Sequence, residues 1–206
     1  MFSSGSPMRL SIVAFGHVHA EDLAALTTKF THLEQLVLDV PRDASVDSHR
    51  AEFNRAVDAA TADWVLIVRE RETIDEALAK EIAGSVTAAK AWGFRIRAVP
   101  YYAGQALRIG RDDGELRLLQ RRHLLRRGDL AVQGTVMRMQ NGFRSVTFGT
   151  AAEHHVHLAE KGTRRSAAGR AIAFAGYVVG TRVFERNTLR YLWVEAAYAV
   201  KSADER

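Results

Sequence analysis

The sequence predicts an α/β protein, a three-layer sandwich with a central, mostly parallel sheet and a helical C-terminal extension. Two observations carry that expectation. Over the first hundred residues, short apolar runs alternate with segments whose apolar residues recur at helical spacing, the β-α-β-α-β-α-β order that builds parallel sheets. From 166 to 200 the chain turns helical and Ala-rich, with aromatics at Phe174, Tyr177, Phe184, Tyr191, Trp193 and Tyr198. The expected division is a disordered leader over 1–8, a domain over 9–160 and an extension over 161–206.

Leu10 to Phe15 is a short, mostly apolar run ending at Gly16, the form of a buried strand. Leu23, Leu26 and Phe30 then fall at helical spacing within 19–30. Leu33 to Val40 gives a second strand with Asp39 near its carboxyl end, and Pro41 stops it. Ser45 to Ala60 returns to helical spacing, with Ser45 or Asp47 as its cap.

The strongest strand signal is Trp64 to Val68, unbroken and apolar, ending on the charges Arg69, Glu70, Arg71 and Glu72. Thr73 followed by Glu76 has the spacing of a capping box, and Ile74, Leu78 and Ile82 continue one helical face. Gly93 to Val99 alternates apolar and basic residues, the mark of a half-exposed strand ended by Pro100, Tyr101 and Tyr102. Beyond it, 107–109, 115–120, 132–139 and 143–148 read as short strands between glycines.

Composition bounds the function. With 206 residues, 47% apolar and 26% charged, the chain has the make-up of an ordinary globular protein. It has no cysteine, so disulfides and thiolate metal sites are excluded. The net charge of +5 suits a phosphorylated ligand, nucleic acid or an anionic membrane surface, and it equally suits a solvated arginine-rich face. Between Ala103 and Gly142 the arginines have no aromatic among them, which disfavours single-stranded nucleic acid. The N-terminus lacks the apolar core of a secretory signal and no window reaches the roughly 18 apolar residues of a membrane span, so a cytoplasmic location is expected.

In an open α/β sheet, ligands sit at the carboxyl ends of the strands, which directs attention to residues 69–72. With the elements placed, the chain resembles a family 2 glycosyltransferase with the A-type nucleotide-sugar-binding fold, of the bacterial lipopolysaccharide-core and cell-surface branch. The resemblance rests on Leu10–Phe15, Asp39, Asn54 with Ala56 and Ala60, Ala62-Asp63-Trp64-Val65-Leu66, Tyr101-Tyr102-x-Gly104 and the 115–122 segment containing Arg117. It spans about 9–160. It implies that Asp39 meets the nucleoside, that Asn54 and Arg117 belong to the nucleotide-sugar-binding site, and that a histidine such as His155 lies beside the diphosphate.

Two departures from that family alter the expected chemistry. Its Asp-x-Asp motif, which holds a hard divalent cation on carboxylate oxygens, falls here on Arg69 and Arg71. Arginine cannot ligate a metal but can meet a diphosphate directly through charge-assisted bonds, so no cofactor is expected. The family's general base falls at Gln133-Gly134, which cannot accept a proton, leaving Glu70 and Glu72 as first replacements, with Asp112, Asp113 and Glu115 behind them.

Other readings stand beside these. Arg69 and Arg71 equally fit a solvated strand end, and Asp39 fits a turn cap. If His154, His155 and His157 lie on a strand, only the last two share a face, too few for a metal centre. The basic, aromatic 166–200 segment can lie on an anionic membrane bearing lipid-linked acceptors, pack on the domain, or form a homodimer contact. The expected function is sugar transfer from a nucleotide-sugar to a cell-surface glycan or lipid acceptor, without a metal. The alternative is a non-catalytic relative that binds a nucleotide-sugar or a partner in polysaccharide assembly.

Overall fold

The structure, a computed structural model, describes residues 8–40, 45–107, 114–181 and 185–200. In chain order it contains β1 (Arg9–Phe15), α1 (Ala24–Thr27, preceded by a 3-10 turn over Ala20–Leu23), β2 (His32–Leu38) and α2 (Arg50–Ala59). Then come β3 (Trp64–Arg69), the two-residue β4 (Glu72–Thr73), α3 (Glu76–Ala88), β5 (Gly93–Ile96), β6 (Ala98–Tyr102), β7 (Gln105–Ala106) and β8 (Glu115–Gln120). The remainder is β9 (Val136–Arg138), β10 (Phe143–Phe148), α4 (Ala151–Lys161), β11 (Gly162–Arg164), α5 (Ala167–Thr181), α6 (Arg186–Ala196) and β12 (Tyr198–Val200). The protein is thus α/β, with a mixed multi-strand sheet and, among the described residues, six α-helices.

The chain forms two compact units. The first comprises 1–98 with 112–144, and the second 99–111 with 145–206. The expected leader over 1–8 lies outside the described residues except for Met8.

In the first unit a six-stranded sheet has the order β2-β1-β3-β8-β5-β9. Strand β1 runs parallel to β2 and β3, and β5 runs parallel to β9. Strand β8 lies between β3 and β5 and runs antiparallel to both, so the sheet is mixed.

Helices cover both faces because alternate strand residues point to opposite sides. Leu10, Ile12, Leu66 and Val68 pack with Leu23 and Leu26 and with Leu78 and Ile82 of α3. Val13, Phe15, Val65 and Ile67 pack on the other face with Phe53, Ala56 and Val57 of α2. Strands buried on both faces read as continuous apolar runs, which is why β1 and β3 are so plain in the sequence.

Local chemistry moves several boundaries. Helix α3 is capped by Asp75, whose side chain accepts from Leu78 N at 2.9 Å, and not by Thr73. Thr73 is in β4 and donates to Asp22 at 2.9 Å. Neither Ser45 nor Asp47 caps α2: Ser45 closes a turn with Ser48, and Asp47 accepts from Leu130 N. Pro100 lies within β6 and does not end a strand, and the 132–139 strand shortens to β9. Of the strand expected over 107–109, only Leu107 is described, beyond the end of β7.

In the second unit, β6 and β7 form a hairpin across Ala103 and Gly104, both left-handed at φ 49° and 79°, as a two-residue turn of this hand requires. A core of Tyr102, Leu107 and Phe148 packs with Tyr191 of α6. Strands β11 and β12 pair antiparallel. No described helix is long and apolar enough to cross a membrane.

Candidate functional site

At the carboxyl end of β3 the backbone turns sharply. Glu70 N donates to Phe15 O at 2.9 Å, and Arg71 adopts a left-handed φ of 64° that side-chain-bearing residues rarely take. That turn points Glu72 inward, where it is only 2% exposed. A buried carboxylate must be paired, and this one is paired twice over. Arg117, also 2% exposed, donates from Nη2 to Oε1 at 2.9 Å and from Nη1 to Oε2 at 3.2 Å. Arg69 N adds a third bond to Oε2 at 2.8 Å.

The network extends outward. Glu115 Oε2 lies 3.1 Å from Arg117 Nε and 2.8 Å from Arg69 Nη2. Arg117 also stacks its guanidinium over Phe143, 5.5 Å from the ring centre. Arg69, Glu72, Glu115 and Arg117 therefore form an alternating set of charges tying β3 to β8. Glu72 cannot act as the general base offered by sequence, because its oxygens are committed to internal donors. Arg117 likewise serves as a buried ion-pair partner, where a bound sugar-nucleotide would need it open.

Glu70 stands differently. Its carboxyl lies over Gly16, with Oε2 3.1 Å from where a Cβ on that glycine would stand, so Gly16 leaves room for it. Gly16 also has φ +79°, a conformation that favours glycine.

Two cavities open in the first unit. One, of about 230 Å³, is lined by Arg69, Arg95, Asp47, Glu115, Val46 and Leu130 among others. Its two arginines face two acids, so the formal charge is balanced. The other, of about 400 Å³, lies between β2 and α2 and is lined by Leu36, Leu38, Asp39, Val40, Glu52 and Arg55 among others. This slot is part apolar and part charged, with Asp39 at the strand end and Glu52 and Arg55 on the helix, and its size falls within the range of small-ligand sites.

Asn54, expected in the binding site, is instead half-buried and turned to the 126 loop, donating to Arg126 O at 3.2 Å. It does not line the Asp39 cavity; Arg55 and Glu52 from the same helix do. Gly134, at the position of the family's base, has a steric reason. At φ +120° it packs against the Trp92 indole so closely that any Cβ would overlap the ring.

The histidines lie on helix α4 and not on a strand, which corrects the expected pairing of faces. His155 is exposed in the second unit, its ring 6.0 Å from Tyr198. His154 is the buried one, sandwiched between Phe148 at 4.3 Å and Tyr191 at 4.8 Å. Its Nε2 meets Glu195 Oε1 at 3.1 Å. Burial pushes the Glu195 carboxyl up, but bonds from His154 and Tyr191 and the nearby charges of His154 and His157 outweigh it and hold the group below its ordinary range. Burial and the Glu195 bond raise the Tyr191 phenol strongly. The signal for this helix was present in Thr150-x-x-Glu153, where Thr150 accepts from Glu153 N and Glu153 from Gly149 N.

Arg69 and Arg71 offer nothing to a divalent cation, and the carboxylates beside Arg69 are spent on arginines. Among the described residues no group of three or more His, Asp or Glu side chains is gathered as a metal would need. Asp112 and Asp113, further candidates for a base, lie outside the described residues. No protein-family model matches the sequence, and no curated protein matches it.

Proposed function

We propose that this protein is a glycosyltransferase-like binding module, one that receives the nucleoside end of a nucleotide-sugar in the β2–α2 cavity and performs no transfer itself. The observation that carries the reading is the closure of the β3 edge. Glu72 spends both oxygens on Arg117 and Arg69 N, and Glu115 meets Arg69 and Arg117, so neither carboxylate is left to hold a metal or take a proton. The cavity beside Asp39 stays open, with an apolar wall for a base and a carboxylate able to accept from ribose hydroxyls. A role in assembling a cell-surface polysaccharide, through a partner or a lipid-linked acceptor, follows from the resemblance.

Calorimetry with UDP, GDP and their sugar conjugates in EDTA tests the reading. Binding of at least one of them, weakened about tenfold or more by Asp39→Ala, is expected, since a bond to a charged acceptor contributes about 1.5–3 kcal/mol. Absence of heat with the whole panel overturns it.

Metal-independent transfer is the second reading, and Glu70 is the residue that favours it. Its carboxyl sits at the β1–β3 edge beside Gly16, outside the bonds that occupy Glu72. Sugar transfer or donor hydrolysis in EDTA that disappears in Glu70→Gln, with donor affinity unchanged, would replace the binding-module reading by this one.

A further inference from the structure

Helix α5 is built the wrong way round for a helix facing water. Its packed side carries Arg170, whose guanidinium lies 4.9 Å from the Trp193 ring centre, and Phe174, edge-on to the same indole at 5.2 Å. Turning 100° per residue, the opposite side carries Ala168, Ala171, Ile172, Ala175, Gly176 and Val179. All six are exposed, Ile172 and Val179 by 74% each. The outward face of a surface helix is normally polar, and this one has no polar side chain among those six.

The segment that carries the stripe is strongly basic. Between 161 and 190 the sequence has Lys161 and six arginines against Glu185 alone, a net +6 where the whole chain has +5. Arg164 before the helix, and Arg186 and Arg190 on α6, are exposed. Trp193 and Tyr177 are also partly exposed, at 44% and 37%. An uncharged apolar face in a segment rich in arginine and aromatics is the composition of a helix that lies in a bilayer interface.

We infer that the outward face of α5 docks on an anionic phospholipid surface, with Ile172 and Val179 in the acyl boundary and Arg164, Arg186 and Arg190 on headgroup phosphates. A second copy is a poorer occupant. Face-to-face pairing of two such stripes would bring two +6 segments together with only Glu185 of each to offset them. The inference is independent of nucleotide binding, because it rests on residues of the second unit alone.

Co-sedimentation of the full chain with phosphatidylcholine vesicles, with and without phosphatidylglycerol, is the test. The protein should pellet with the anionic vesicles only, and be released at roughly 1 M salt, where screening acts over about 3 Å. Ile172→Glu/Val179→Glu should lower the partition by roughly tenfold or more, and each reversal at Arg164 or Arg186 by about fivefold or more. Ala175→Trp, which adds an aromatic to the same face, should raise it. Equal pelleting with neutral vesicles, or indifference to all of these changes, overturns the inference. So does a dimer in light scattering that Ile172→Glu/Val179→Glu dissolves while the protein ignores vesicles.

Discussion

Glu72 and Arg117 are separated by 45 positions in sequence and joined by two hydrogen bonds in the fold. Removing one member takes from the other's buried charge its main partner, so Glu72→Gln or Arg117→Leu should cost about 3–5 kcal/mol in urea unfolding. The double variant Glu72→Leu/Arg117→Met should lose less than either single change, because no charge is then left buried. If the singles are near neutral, the pair is not the clasp between β3 and β8. In the sequence, 69–72 is four alternating charges, and nothing local says which turns inward. The left-handed Arg71 turn decides that.

Glu195 supplies a second residue-level expectation. Its folded pKa is held below the ordinary 4.5, so its stabilising contribution is complete above that pH and is lost as pH falls through the lowered folded value. Thermal unfolding of the wild type should weaken over that acid window, and Glu195→Gln should flatten this part of the profile while lowering stability at neutral pH. An unchanged acid limb in the variant would mean that the His154–Glu195–Tyr191 contacts do not govern it.

For the elements, local chemistry was legible where the local signal was not shared. Helix α3 was foreseen but not its cap: Thr73 and Asp75 both suit an N-cap, and the neighbouring Asp22 takes Thr73. Asp75→Ala should therefore cost about 1 kcal/mol, while Thr73→Val should leave the helix end intact. Amide exchange in the first turn of α3 distinguishes them; faster exchange in Thr73→Val would return the cap to Thr73. Helix α4 does not show in the spacing of its histidines, but the Thr150–Glu153 box marks its start. Asn54 shows the complementary limit. Its helix was readable, but which side of α2 faces the Asp39 cavity depends on the loop at Arg126.

Across the whole molecule, the α/β class, the strands β1, β3 and β8 and the helices on both faces follow from apolar periodicity, because burial on one or two faces imprints its own period on the chain. Residues 69–72 and Asp39 are singled out in the sequence the same way, by where apolar runs end. Only the tertiary structure decided that β8 runs backwards between β3 and β5, that Glu72 is held by Arg117, and that α5 turns an uncharged face outward. Each of those depends on partners far apart in sequence, whose pairing is set by chain connectivity and by the cost of burying a charge alone. Periodicity reports that a side chain is buried or exposed; it has no means of naming what the side chain meets.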